Sequence, residues 1–214
     1  MRRTKEDAEA TRLQLIKSAL PLFAANGPAA TNLNSVAEAA GVTRGAIYWH
    51  FKNKWDLLDA ILEHFTVPVN TFGLDSENAE QADPLGDIRE MMIKLLRNVA
   101  TNDVYRQVFT LQARLNNMRN APNKDAQQVH ERFKSVMELK HRYRCIALNN
   151  AIKQGQLPAD LDVEAGAALI SAMIEGLVTN SMAMPDFYRL DIRAEQYAEV
   201  VISGLKTGLK MDER

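Results

Sequence analysis

Apolar residues recur three and four positions apart along almost the whole chain, and no stretch alternates with a period of two. The pattern predicts an all-helical fold. Leu13, Ile16, Leu20 and Phe23 fall on one face of a first helix, which Asn26-Gly27-Pro28 stops. Thr31 to Asn34 supplies capping side chains for a second helix that turns Val36, Ala37 and Ala40 inward. Gly41 breaks it, Thr43 caps a third, short helix running to Phe51, and Asn53 caps a fourth striped with Leu57, Leu58, Ile61, Leu62 and Phe65. Two short helices joined by a glycine turn, behind a longer one, make a helix-turn-helix unit. Ala37 allows close approach, Gly41 can take positive φ, and Val42 and Ile47 fill the shared core.

Beyond it, Val67 to Pro84 is irregular and acidic and reads as a loop. A helix striped with Ile88, Met91, Met92, Leu95, Leu96 and Val99 follows, then one over about 104–118 that breaks at Ala121-Pro122-Asn123. A long helix from about Lys124 to Gln154 stops at Gly155 and Pro158. A strongly apolar segment opens at Asp162 and ends at Pro185, and the last helix runs from Asp191 to Lys210 with Tyr197, Val200, Val201, Leu205 and Leu209 on one side. The expected fold class is all-α, with a three-helix helix-turn-helix at the N-terminus, a helical bundle after it, and about nine helices altogether.

Composition removes several function classes. No run approaches the roughly 18 apolar residues that cross a bilayer, and MRRTKEDAEA has no apolar stretch of a signal peptide, so a cytoplasmic protein without a membrane partner is expected. Cys145 is the only cysteine, and His50, His64, His130 and His141 show no HxxxH or HExxH spacing. No metal site, no cofactor and no catalytic constellation are therefore expected. A formal net charge of −1 is unpromising for a nucleic-acid binder, but phosphate contacts need only one basic face. Arg2, Arg3, Lys5 and Arg12 cluster at the start, and Arg44, Lys52 and Lys54 flank an aromatic run.

That run is TRGAIYWHFKNK, residues 43–54, opening just past Gly41-Val42. Stacking rings and phosphate-seeking donors after a glycine turn are what a DNA-recognition helix requires. Taken alone, YWHF reads as core, and Ile47 and Phe51 are assigned there. Residues 31–58, TNLNSVAEAAGVTRGAIYWHFKNKWDLL, resemble the DNA-binding signature of the TetR family of bacterial transcriptional repressors, down to the K-x-x-L-L after YWHF. RRTKEDAEATR and GVTRGAIYWHF are similar to the branch that represses multidrug-efflux operons. GQLPADLD ahead of an apolar helix is similar to the same branch.

The resemblance implies a homodimer on a palindromic double-stranded operator, each third helix in a major groove. The expected DNA-binding residues are Asn34, Thr43, Arg44, Gly45, Tyr48, Trp49, His50 and Lys54. Arg44, Gly45 and Tyr48 lie near base edges, where an arginine can donate bidentately to guanine, although a phosphate contact would suit Arg44 equally. Asn34 matches a position that reaches a base edge in some relatives. Thr43, Trp49, His50 and Lys54 match phosphate-gripping positions. Arg2, Arg3 and Lys5 read either as a minor-groove arm or as a solvated tail.

The expected domains are a DNA-binding 1–53 and a ligand-binding and dimerisation 54–214, with the fourth helix, about 54–66, connecting them. Candidate ligand contacts are Phe109, Gln112, Phe133, Met137, Met173 and Asn180, because methionine and aromatic groups suit irregular apolar ligands and a few amides can orient them. Where efflux-branch relatives carry an HKCE-like segment this chain has LQARLN, and Ser181 stands where they tend to have tryptophan. Small residues on the last two helices (Ala165, Gly166, Ala167, Ala168, Ala172, Gly176, Gly204, Gly208) suit either a dimer seam or packing within the subunit. The function expected is a repressor, of a multidrug efflux operon, released by an apolar small-molecule inducer. A regulator sensing a metabolite is the alternative; an all-α enzyme lacks a catalytic constellation.

Overall fold

The computed structural model describes residues 5–76, 82–118 and 122–208, with backbone alone over 66–76. Ten helices and no strand occur among the described residues: α1 (Lys5–Ala30), α2 (Leu33–Ala39), α3 (Arg44–His50), α4 (Lys54–Ser76), α5 (Pro84–Thr101), α6 (Asp103–Asn116), α7 (Lys124–Lys153), α8 (Val163–Ala183), α9 (Pro185–Tyr188) and α10 (Leu190–Thr207). They form two compact units, Met1–Val67 with Gln107–Ser135 and Pro68–Arg106 with Val136–Arg214. Helices α4, α6 and α7 thus each give residues to both.

In the first unit, Leu15, Ile16, Ala19, Leu20 and Phe23 of α1 are buried, as are Val36 and Ala37 of α2, Ile47 of α3 and Leu57, Leu58 and Ile61 of α4. The break expected at Gly27 is present, since its φ is 77°, in the left-handed region glycine favours. Helical bonding resumes after it, so α1 reaches Ala30. Pro28 has no N–H to give the Ala24 carbonyl four residues back. Arg114 of α6 supplies the donors instead, Nε to Ala24 O at 2.8 Å and Nη2 to Ala25 O at 2.7 Å. A Cβ on Gly27 would meet Arg114 Nη1 at 3.4 Å. Helix α7 is tied to α4 by Asn53 Nδ2 donating to Asp125 Oδ2 at 2.9 Å and by the Arg132–Asp59 ion pair. Burial pushes the Asp59 carboxyl above its ordinary range while Arg132 pulls it back.

In the second unit α10 lies along α5, and α8 packs against both. Ile88, Met92, Leu96 and Val99 of α5, spaced three and four apart, are buried with Ala194, Ala198, Val201 and Leu205 of α10. Gly166 of α8 is buried where Leu148 of α7 and Leu205 of α10 converge: an added Cβ would meet Cδ1 and Cδ2 of these leucines at 3.2 Å each. Gly166 and Ala167 therefore pack within the subunit, whereas Ala168 and Ala172 are exposed.

Three expectations change. The loop expected from Val67 begins later, because α4 continues to Ser76; extending an existing helix avoids the nucleation cost, so acidic and proline-bearing composition does not stop it. Residues 77–81 of that loop lie outside the described residues. The tenth helix is α9, a single turn between Pro185 and the left-handed Arg189, whose φ is 46°. Finally, α8 is long and apolar enough to cross a membrane by length and composition alone. Its buried stripe of Ile170, Ile174, Leu177 and Val178 belongs to the core of the second unit, which is why a core helix passes that test.

Candidate nucleic-acid interface

Helix α3 is set by local hydrogen bonds. Asn32 caps α2 by accepting the Ser35 N–H at 3.0 Å. The helix ends in a Schellman turn: the Val42 N–H donates to Ala37 O and the Gly41 N–H to Glu38 O, each at 3.0 Å, with Gly41 at φ +66°. Gln14 of α1 reaches into this turn, Nε2 donating to the Ala40 carbonyl at 2.7 Å. Thr43 then caps α3 through the Ala46 N–H at 3.2 Å. Asn53 caps α4, its Oδ1 accepting from the Trp55 and Asp56 N–H groups at 2.9 and 3.1 Å.

One face of α3 is locked inward. Ile47 is fully buried, Phe51 at the helix end is 1% exposed, and the Arg12 guanidinium sits over the Phe51 ring at 5.3 Å. The 3.6-residue period then forces Arg44, Gly45 and Tyr48 outward together. All three are exposed, as are Thr43 and Asn34. Tyr48 is 55% and Trp49 73% exposed, unusual for rings of that size. The half-buried His50 ring meets Trp49 edge-on at 4.5 Å.

Lys54 is the exception among the expected DNA contacts. Its ammonium donates to the Ala29 carbonyl at 2.6 Å and lies 5.4 Å from the centroid of the Trp55 ring. It thus closes the end of α1, and a phosphate would have to compete with that carbonyl. Of the candidate arm, Arg2 and Arg3 lie outside the described residues, and Lys5 begins α1.

Comparison with known proteins decides the family. Residues 15–61 match bacterial regulatory proteins of the tetR family, and residues 83–207 match the C-terminal region of MAATS-type transcriptional repressors. The HTH-type transcriptional regulator TtgR of Pseudomonas putida is 32% identical over 206 residues, covering 96% of each chain. The chain belongs to the TetR family. This TetR-family repressor is also 31% identical over 209 residues to AcrR of Shigella flexneri, covering 94% of this chain and 92% of that one. Among solved structures, SmeT, the repressor of the Stenotrophomonas maltophilia multidrug efflux pump SmeDEF, aligns with a TM-score of 0.71 at 26% identity over 97% of this chain and 96% of its own. The family and these relatives are transcriptional regulators.

The candidate ligand contacts of the TetR-family chain divide between its units. Phe109, Gln112 and Phe133 lie in the first; Met137, Met173 and Asn180 lie in the second. Phe133 is buried, Phe109, Gln112, Met137 and Met173 are half-buried, and Asn180 is exposed with Nδ2 donating to its own helix at Gly176 O, 2.7 Å away. Sequence reasoning missed two features of α7. Lys140 and Arg144, one turn apart, are both withdrawn from water: burial, then Arg144, pushes the Lys140 ammonium from 10.5 down to about 8. Burial likewise lowers Arg144, whose Nε has no hydrogen-bond partner among the described residues. The second is a cluster in which His141 and Cys145 meet Glu164 of α8. His141 Nε2 lies 2.6 Å from Glu164 Oε2 and 3.6 Å from Cys145 Sγ. Burial, reinforced by Glu164, pushes the Cys145 thiol up to about 11. The signal available in the sequence was the four-residue spacing of His141 and Cys145 on a helix.

Proposed function

We propose that this protein is a cytoplasmic, homodimeric repressor that binds a palindromic operator through α3 and leaves it when an apolar small molecule binds residues 54–214. The regulated promoter is that of a multidrug efflux operon. The observation that carries the reading is Tyr48 and Trp49, held in solvent on a seven-residue helix whose other side is anchored by Ile47 and Phe51. Arg44, Gly45 and Tyr48 read bases, with Asn34 reaching from α2; Thr43, Trp49 and His50 hold phosphates, and Lys54 does so after exchanging the Ala29 carbonyl. The division of labour is DNA binding by 1–53 and ligand binding and dimerisation by 54–214. Exposed apolar groups on the second unit, Met184, Phe187, Ile192 and Val200, suit a dimer face. Inducer binding need only favour a conformation in which the two recognition helices no longer match successive grooves.

Tyr48→Ala tests the docking. Fluorescence polarisation on a labelled fragment of the adjacent promoter should show operator affinity falling at least tenfold, with helicity and dimer mass unchanged. Unchanged affinity refutes the role given to α3.

One observation favours a second reading, a regulator that senses an acidic metabolite. Lys140 and Arg144 place two poorly solvated positive charges on α7. Such a pair disfavours a cationic ligand nearby and favours a carboxylate. Operator release by apolar carboxylates but not by cationic dyes would select this reading; release by the dyes would reject it.

A further inference from the structure

We propose that His141, Cys145 and Glu164 form a binding site for a soft or borderline divalent cation of the zinc class. The three donor atoms, an imidazole nitrogen, a sulfur and a carboxylate oxygen, all lie within 4.8 Å of one another. Tetrahedral zinc with bonds of about 2.0 to 2.3 Å separates neighbouring donors by about 3.5 Å. The 3.6 Å between Cys145 Sγ and His141 Nε2 already fits. The 2.6 Å contact between His141 and Glu164 must open by roughly 1 Å to reach that separation. No backbone movement is implied, because Glu164 is exposed and its side chain can swing.

The backbone places the donors without contrivance. His141 and Cys145 stand one turn apart on α7, so both project from one face. Glu164 lies in the first turn of α8, whose start is fixed by Asp162 accepting the Ala165 N–H at 3.0 Å. All three belong to the second compact unit. A His–Glu contact accounts for two of them, and the one-turn spacing brings the Cys145 sulfur to the same imidazole nitrogen as a third, softer donor. The donor set also selects the cation: one carboxylate is too few oxygens for calcium or magnesium, whereas mixed nitrogen, sulfur and oxygen ligation suits zinc, cobalt and cadmium. Three protein ligands leave a fourth position to water, the arrangement of an exchangeable site rather than a closed structural one. On binding, the Cys145 Sγ–H proton leaves to solvent as the metal–thiolate bond forms. The cation then links α7 directly to the start of α8.

The test uses the untagged, full-length, reduced and chelator-treated protein titrated with Co2+ alone. One equivalent per chain should bring up a near-ultraviolet sulfur-to-cobalt charge-transfer band with visible bands of tetrahedral intensity, and Zn2+ should bleach both. Cys145→Ser should abolish the charge-transfer band, and His141→Ala and Glu164→Gln should each weaken Co2+ binding at least tenfold while circular dichroism stays that of the wild type. A wild-type chain that binds Co2+ with no charge-transfer band, or binds less than one equivalent, overturns the proposal whether or not any variant folds. So does a Cys145→Ser chain that binds as tightly as the wild type.

Discussion

Replacing Lys140 by methionine removes a charge while keeping an unbranched chain of similar length, and it should stabilise the protein. The ammonium is driven from 10.5 to about 8 by burial and by Arg144. That fall corresponds to roughly 3 kcal/mol of penalty on the charged form. Lys140 keeps part of its surface in contact with water, and solvent screening brings the expected gain to about 2 kcal/mol. Below pH 8 the lysine is protonated in both folded and unfolded chains, and the whole penalty acts. Between about 8 and 10.5 the folded chain releases its proton first, so the wild type recovers stability as pH rises. Above 10.5 both forms are neutral and the penalty is gone. For a chain of this length the gain at pH 7 is a rise in Tm of about 4–8 °C. Thermal melts followed by circular dichroism at fixed protein concentration, from pH 7 to 10.5, measure it. The reasoning fails if Lys140→Met melts at or below the wild type at pH 7, or if the difference does not shrink toward pH 10.5.

Gly41→Ala meets no atom within 4 Å, so its cost is the left-handed backbone alone, about 1–2 kcal/mol; Gly41→Asn should recover most of it in the same denaturant titration. An Ala variant as stable as the wild type would contradict the turn geometry. Operator affinity should fall steeply with salt, and Arg44→Ala should lower the log–log slope by about 1 if Arg44 holds a phosphate. A flat salt response would remove the electrostatic basis of the DNA reading. If Arg44 reads a guanine instead, its loss should relax discrimination at one base pair by about 1–3 kcal/mol, visible with operators substituted one position at a time.

What the sequence disclosed was chiefly local. The caps by Thr43, Asn53 and Asp162 join residues two or three apart, and the Gly41 turn joins residues three and five apart. Such bonds leave a mark in the order of the letters, and the family resemblance covers that same stretch. Partners distant in sequence left none. The Lys54 ammonium meets Ala29 O, Arg114 meets Ala24 O, and Glu164 meets His141 across separations of 25, 90 and 23 residues. Nor did composition distinguish Lys140 and Arg144, withdrawn from water, from the many solvated cations of a helix with the same periodicity. Helix α4 outruns the expected 54–66 because elongating a helix already formed avoids the cost of nucleating one, which composition along 67–76 does not reveal.

The broken end of α1 bears on how freely such regulators can exchange parts. The Ala24 carbonyl, which Pro28 leaves without its helical donor, and the neighbouring Ala25 carbonyl are both met by Arg114 of α6, in the segment LQARLN. The DNA-reading end is therefore not a detachable cassette. A chimaera cut at residue 53 or 66 would part α1 from the arginine that meets its last turn. A graft meant to change operator choice would have to carry residues 107–135 along with the first 67, and with them Phe109, Gln112 and Phe133 of the candidate ligand contacts.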